Sequence, residues 1–127
     1  MFTKKILVVE DEASLRKALG TSLTEAGHIV TLASHGKQGL ELALAEKPDL
    51  ILLDINMPNM NGHQMLSKLR LDIWGKEAKV VFLTNYDDPK NISQGFELKG
   101  NDYIVKANMS LKDIATRVKQ QLAGYHD

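Results

Sequence analysis

The pattern of apolar and polar residues predicts five strands that alternate with five helices. Short apolar runs, typical of strands buried on both faces, predict strands at residues 4–9, 28–33, 49–53, 79–83 and 102–105. Apolar residues at three- and four-residue spacing predict helices at residues 13–26, 36–47, 62–71, 89–98 and 111–122. Such alternation favours an α/β fold, a doubly wound five-stranded parallel sheet in which the usual strand order is 2-1-3-4-5.

Local signals place the ends of several helices. Pro48 ends the second helix, and Ser110 is a good N-cap for the fifth, which Gly124 closes. On the second and fourth helices, we expect Leu44 and Phe96 to point into the core.

Length and composition exclude several functional classes. The 127 residues suit one domain, residues 1–127, without an output domain. Lys+Arg and Asp+Glu are equal at 16 each, which argues against direct binding to nucleic acid. No apolar run approaches the ~20 residues of a bilayer span, and we see no signal peptide or membrane attachment. Cysteine is absent, which excludes thiolate chemistry and suits the cytoplasmic location that we expect.

Polar residues follow four of the predicted strands where each strand ends. Glu10 and Asp11 follow the first strand, Asp54 the third, Thr84 the fourth and Lys106 the fifth. In the predicted topology these ends lie together, at the edge of the sheet where open α/β folds bind ligands. Three carboxylates, a hydroxyl and an ammonium are therefore expected to converge.

This set of side chains points to metal-assisted phosphoryl chemistry. Two like charges ~4 Å apart repel by ~4 kcal/mol at an effective dielectric constant of ~20, and a divalent cation would offset this. Oxygen ligands without imidazole or thiolate favour Mg²⁺, with Mn²⁺ possible, over Zn²⁺. Lys106 and Thr84 would then suit a phosphoryl group carried by Asp54.

Each residue also has a simpler interpretation when it is taken alone. Asp11 or Glu12 can cap the following helix, and Asp54 can be a turn residue. Thr84 can form a turn, and Lys106 can be a solvated loop charge. Their co-occurrence at four strand ends of one sheet favours the functional interpretation.

With these residues in place, the sequence resembles a response-regulator receiver domain, the phosphoacceptor module of two-component signalling. The resemblance covers essentially the whole chain. It rests on the acidic cluster, the run from Asp54 to Gly62 (DINMPNMNG), Thr84, and the segment NDYIVK at residues 101–106. It implies a flavodoxin-like (βα)5 fold and a signalling domain that is not an enzyme beyond self-phosphorylation and autodephosphorylation.

The resemblance implies a role for each residue of the metal site. Asp11, Asp54 and the backbone carbonyl of Asn56 would hold Mg²⁺, and Glu10 would help through a metal-bound water. Asp54 would accept a phosphoryl group from a histidine of a sensor histidine kinase or a histidine phosphotransfer protein.

It also implies a switch. Thr84 and Lys106 would contact phosphoryl oxygens, and Tyr103 would turn inward as Thr84 moves. The fourth helix, fifth strand and fifth helix would then bind a downstream protein target, with the domain a monomer or a phosphorylation-dependent dimer. The alternative for Tyr103 is plain packing with its hydroxyl in water.

Three positions depart from the family pattern. Glu10 stands where aspartate is common, and its extra methylene would move the carboxylate ~1 Å outward and loosen the metal site. Asn85 replaces a small residue and would narrow access to the phosphoryl group. Ala107 stands where proline is usual, and we expect the Lys106–Ala107 bond to stay cis despite a cost of ~2.5–4 kcal/mol.

Two other functions stay open. Asn85 and Ala107 would suit a receiver-like binding module that signals without phosphorylation. The carboxylates would also suit a Mg²⁺-dependent phosphotransfer enzyme acting on a small substrate, although no segment for a cap or a substrate pocket is evident. Nucleotide or flavin binding is disfavoured because neither glycine-rich phosphate-binding motif occurs.

Overall fold

A computed structural model describes residues 4–85, 89–106 and 109–124 and contains one five-stranded parallel sheet. The strands are β1 (Lys5–Val9), β2 (Ile29–Ala33), β3 (Leu50–Asp54), β4 (Val80–Thr84) and β5 (Asp102–Val105). The helices are α1 (Ala13–Glu25), α2 (Gly36–Glu46), α3 (Gly62–Leu69), α4 (Pro89–Glu97) and α5 (Leu111–Leu122), with a 3₁₀ turn at Gly75–Glu77. The strand order β2-β1-β3-β4-β5 confirms the predicted fold class. No helix among the described residues is long and apolar enough to cross a membrane.

The strand register brings the predicted site residues to one edge. Asp54 pairs with Leu83, and Thr84 pairs with Val105, so these two site residues end their strands side by side. Glu10 and Lys106 directly follow β1 and β5. The convergence that the sequence predicts is therefore present in the fold.

The sheet separates two apolar cores. Because alternate side chains of a strand point to opposite faces, Leu7 and Leu53 pack on the side of α2 and α3, whereas Val8 and Leu52 pack on the side of α1 and α5. All five residues of β3 are buried, as expected for a strand covered on both faces.

Helix capping agrees only partly with the sequence. The Ser110 side chain accepts the backbone N–H of Asp113 and forms a capping box, which confirms the predicted N-cap of α5. Asn61 and Gln64 form a second capping box at the start of α3. Glu12 occupies the N-cap position of α1, but its side chain makes no capping hydrogen bond. The helix-cap interpretation of Glu12 is therefore wrong.

Two apolar residues expected in the core are exposed. Leu44 is 38% exposed and Phe96 is 53% exposed. In each helix the preceding small residue, Ala43 or Gly95, is buried instead. Successive helical residues point ~100° apart, so the small residue that lets the helix approach the sheet turns its neighbour outward.

Arg70, at the end of α3, forms hydrogen bonds with two other segments of the chain. The Arg70 guanidinium donates hydrogen bonds to the carbonyl oxygens of Gly75 (2.6 Å) and Ala78 (2.8 Å) in the turn before β4. It also donates to those of Leu98 (2.9 Å) and Lys99 (2.8 Å), just after α4. One guanidinium therefore donates hydrogen bonds to four backbone carbonyl oxygens.

Replacing Arg70 should destabilise the fold without touching the sheet edge. We expect Arg70→Met to lower the free energy of unfolding by about 2–4 kcal/mol, because carbonyls in a partly buried region lose a charged donor. Urea denaturation measures the change, and Lys68→Met on the exposed side of α3 is the control. A loss no larger than that of the control would contradict the assignment.

Candidate functional site

Asp54 forms the centre of the site. It ends β3, is only 1% exposed, and its Oδ1 accepts the backbone N–H of Asn56 at 3.2 Å. The following loop folds back closely, since a Cβ on Gly62 would lie 2.5 Å from the carbonyl oxygen of Asp54. Glycine at position 62 therefore permits the loop to close beside the carboxylate.

Lys106 bridges two of the acids. Its Nζ lies 2.6 Å from Oε1 of Glu10 and 3.3 Å from Oδ1 of Asp54, and its side chain is only 13% exposed. The interpretation of Lys106 as a solvated loop charge is therefore wrong. The ammonium links the ends of β1, β3 and β5.

The acidic turn after β1 is fixed by several hydrogen bonds. The buried Glu10 carboxylate accepts the backbone N–H of Glu12 through Oε2 at 3.0 Å, which leaves Oε1 for Lys106. Arg16 of α1 donates to the backbone carbonyls of Glu10 (3.0 Å) and Asp11 (3.4 Å). Arg16 carries no motif signal of its own, so its role at this turn could not be predicted from the sequence.

The three acids form a set that suits a hard divalent cation. Glu10, Asp11 and Asp54 each offer a carboxylate oxygen, and these oxygens lie within 4.8 Å of one another. Asp11 is exposed, which gives a hydrated ion access from solvent. Asn56 Nδ2 is buried and has no hydrogen-bond acceptor among the described residues. An all-oxygen donor set of this kind fits Mg²⁺ or Mn²⁺.

The crowding of acids changes the protonation of Asp54. Burial raises the pKa of Asp54 to about 8, and Asp11 and Glu10 raise it too, whereas the charge of Lys106 acts in the opposite direction. Burial by itself lowers the pKa of Lys106, but its hydrogen bond to Glu10 and the charge of Asp54 outweigh this and raise it. Lys106 is therefore a permanent cation, while a bound dication would favour the ionised form of Asp54.

The remaining predicted residues occupy the expected positions. Thr84 is buried at the end of β4, and Asn85 beside it is exposed. The predicted cis bond before Ala107 lies outside the described residues.

The partly buried side chain of Tyr103 on β5 contacts neighbouring residues through both its ring and its hydroxyl. Its ring stacks on Phe82 at a centroid distance of 5.0 Å and tilts against Phe96 at 5.6 Å. Its Oη lies 3.3 Å from Nε2 of His63, so the alternative with a solvated hydroxyl is wrong. Burial raises the pKa of Tyr103 to about 12. The contact of His63 with Tyr103 could not be predicted from the sequence, since nothing local relates two residues forty positions apart.

Comparison with known proteins connects this site to a family. The family described as response regulator receiver domain matches residues 6–119. The probable transcriptional regulator ycf27 of Guillardia theta is 37% identical over 119 residues, which are 94% of this chain and 45% of that protein. The transcriptional regulatory protein HprR of Escherichia coli K12 is 37% identical over 122 residues, which are 96% of this chain and 53% of that protein. The chain thus spans about half the length of the curated relatives it matches.

Solved structures agree with the family match. The chemotaxis protein CheY4 of Vibrio cholerae has a TM-score of 0.87 at 25% identity and covers 94% of this chain and 98% of its own. A CheY-like receiver domain protein of Methanospirillum hungatei JF-1 has a TM-score of 0.88 at 25% identity and covers 97% of this chain and 96% of its own.

The raised pKa of Asp54 predicts a pH-dependent stability of the metal-free protein. The unfolded chain loses the Asp54 proton near its ordinary pKa of 3.8, whereas the folded protein keeps it up to about 8. Between these values the folded state binds more protons, so stability falls as pH rises. Asp54→Asn cannot ionise, and its stability should exceed that of the wild type by a margin that grows to at least about 1 kcal/mol near pH 8.

Urea denaturation in EDTA between pH 4 and pH 8 measures this margin. Glu41→Gln, which removes an exposed acid of α2, is the control. A margin that stays constant with pH would contradict the assignment.

Proposed function

We propose a phosphoacceptor function for this chain, which belongs to the family of response regulator receiver domains. The observation that carries the proposal is the placement of the buried Asp54 carboxylate next to two other acids and the Lys106 ammonium. A carboxylate in that setting has a cation on one side and an oxygen donor set for a metal on the other. This combination suits the transfer of a phosphoryl group to an acid.

The proposed reaction forms an acyl phosphate. One oxygen of Asp54 attacks the phosphorus of a phosphohistidine, the phosphorus–nitrogen bond breaks, and its electron pair returns to the donor imidazole. The donor is a sensor histidine kinase or a histidine phosphotransfer protein. Apart from its own phosphorylation and autodephosphorylation, we propose no enzymatic turnover.

Residues around Asp54 would stabilise the phosphoryl group. Lys106 would transfer from Glu10 to a phosphoryl oxygen, and Thr84 would donate its hydroxyl to another. Mg²⁺ held by Asp11, Asp54 and the backbone carbonyl of Asn56 would neutralise charge on the transferring group. Before phosphorylation, Lys106 and a backbone N–H engage both oxygens of Glu10, so the part of Glu10 in binding the metal would run through a metal-bound water.

Phosphorylation would then change the surface formed by α4, β5 and α5. The phosphoryl group favours the arrangement of Thr84 and Lys106 that contacts it, and Tyr103 packs inward in that arrangement. A downstream protein would bind this surface, and the domain itself would be a monomer or a phosphorylation-dependent dimer. The curated relatives are named transcriptional regulators and are about twice as long as this chain. For this domain we propose a signalling role in the cytoplasm, without direct contact to nucleic acid.

Acetyl phosphate with Mg²⁺ tests the proposal. We expect a mass gain of about 80 Da that is lost in EDTA, because one phosphoryl group is added to one carboxylate. The gain should disappear in Asp54→Asn and persist in the control Asp49→Asn. Mass spectrometry of the intact protein and of its fragments measures both.

Two results would contradict the proposal. A mass gain that survives Asp54→Asn would place the phosphoryl group elsewhere. No gain in the wild type, together with unchanged partner binding in Asp54→Asn, would favour the binding module that signals without phosphorylation.

A further inference from the structure

We propose that His63 is a positioning residue that holds the Tyr103 ring inward, against α3 and α4. The inference rests on the proposed function, in which Tyr103 is the switch residue. It adds a residue that sets how readily the switch reaches its inward position.

His63 lies where it can fix the hydroxyl of Tyr103. It is the second residue of α3 and is only 4% exposed. Its ring tilts against Phe82 at a centroid distance of 5.3 Å, and its Nε2 lies 3.3 Å from Tyr103 Oη. The Phe82 ring thus packs against both the imidazole of His63 and the phenol of Tyr103.

Helix α4 encloses the same hydroxyl from another side. A Cβ on Gly95 would overlap with Oη and ring atoms of Tyr103, so the phenol lies directly on the α4 backbone. Gly100 permits a similar approach, because a Cβ there would lie 2.6 Å from Cε2 of Phe82. The pocket for the inward ring is therefore built from α3, α4 and β4 together.

The contact between His63 and Tyr103 is connected to Asp54 through neighbouring residues of the chain and of the sheet. Gly62, which packs on the carbonyl oxygen of Asp54, directly precedes His63. Phe82 pairs with Leu53 on one side and with Tyr103 on the other. A shift of the Asp54 loop would move one of the groups that contact the Tyr103 hydroxyl, another being the Gly95 backbone. By linkage, a change in the Tyr103 position would act on the Asp54 loop with an equal free energy.

Removing the contact should shift the ring outward by a measurable factor. A typical net hydrogen bond corresponds to about a five-fold change in an equilibrium constant. We therefore expect His63→Leu to lower the ratio of inward to outward Tyr103 by about five-fold. Magnesium beryllofluoride, a mimic of the phosphorylated aspartate, should bind more weakly by up to the same factor, because fewer molecules have the competent arrangement.

Aromatic NMR of the full chain measures the ring directly. The Tyr103 signal is assigned from its loss in Tyr103→Phe, and nuclear Overhauser effects to the Gly95 α-protons report the inward ring. These effects should weaken in His63→Leu and persist in the control His28→Leu, which removes another buried histidine at the opposite edge of the sheet. Persistence of the effects at full strength in His63→Leu would overturn the inference.

A double-mutant cycle separates the contact from a loss of packing. Tyr103→Phe removes only the hydroxyl and should weaken beryllofluoride binding as His63→Leu does, while the double variant should show little further loss. Additive losses would overturn the inference, and His63→Met takes the place of His63→Leu in the cycle if His63→Leu fails to fold.

The two proposals fail differently. Wild type that binds no beryllofluoride would refute the phosphoacceptor function, while the NMR comparison would still test the contact. If the wild type binds beryllofluoride, and His63→Leu shows the same affinity and the same Tyr103 ring position as the wild type, only the role of His63 is refuted.

Discussion

The contacts of the Lys106 ammonium with the side chains of Glu10 and Asp54 are the interaction on which the site depends. Both acidic side chains are almost fully buried, and a buried ammonium or carboxylate without a partner is strongly destabilising. Lys106 comes from the far side of the sheet, so its ammonium contacts them only when β1, β3 and β5 are all in register. The polar site can therefore form only when the strands are paired in this order.

The same crowding of charge connects stability with the proposed chemistry. Because its pKa is raised to about 8, Asp54 is mostly protonated at neutral pH in the metal-free fold. A dication bound there would offset the repulsion between the three acids. Natural proteins retain such local conflicts where function requires them, and this sheet edge combines three acids, one lysine and a tightly packed glycine.

The region around Tyr103 depends on close packing between elements. Tyr103 lies between the imidazole of His63 and the backbone at Gly95, on a floor formed by Phe82. Because packed interiors deform little, a change near Asp54 would reach β5 through these contacts as a choice between two ring positions. Family membership supplies the expectation of a switch, and this particular set of neighbours belongs to the present chain.

The sequence by itself determined the strands, their order and the residues at their ends, since apolar runs and strand termini are local patterns that a parallel topology brings to one edge. It did not determine that Phe96 lies outside the core, that Arg70 joins three segments, or that His63 contacts Tyr103. Nor did it show that Glu10 gives one oxygen to Lys106. These outcomes depend on distances of a few ångströms between elements far apart in the chain, and such distances are decided only when the helices pack on the sheet.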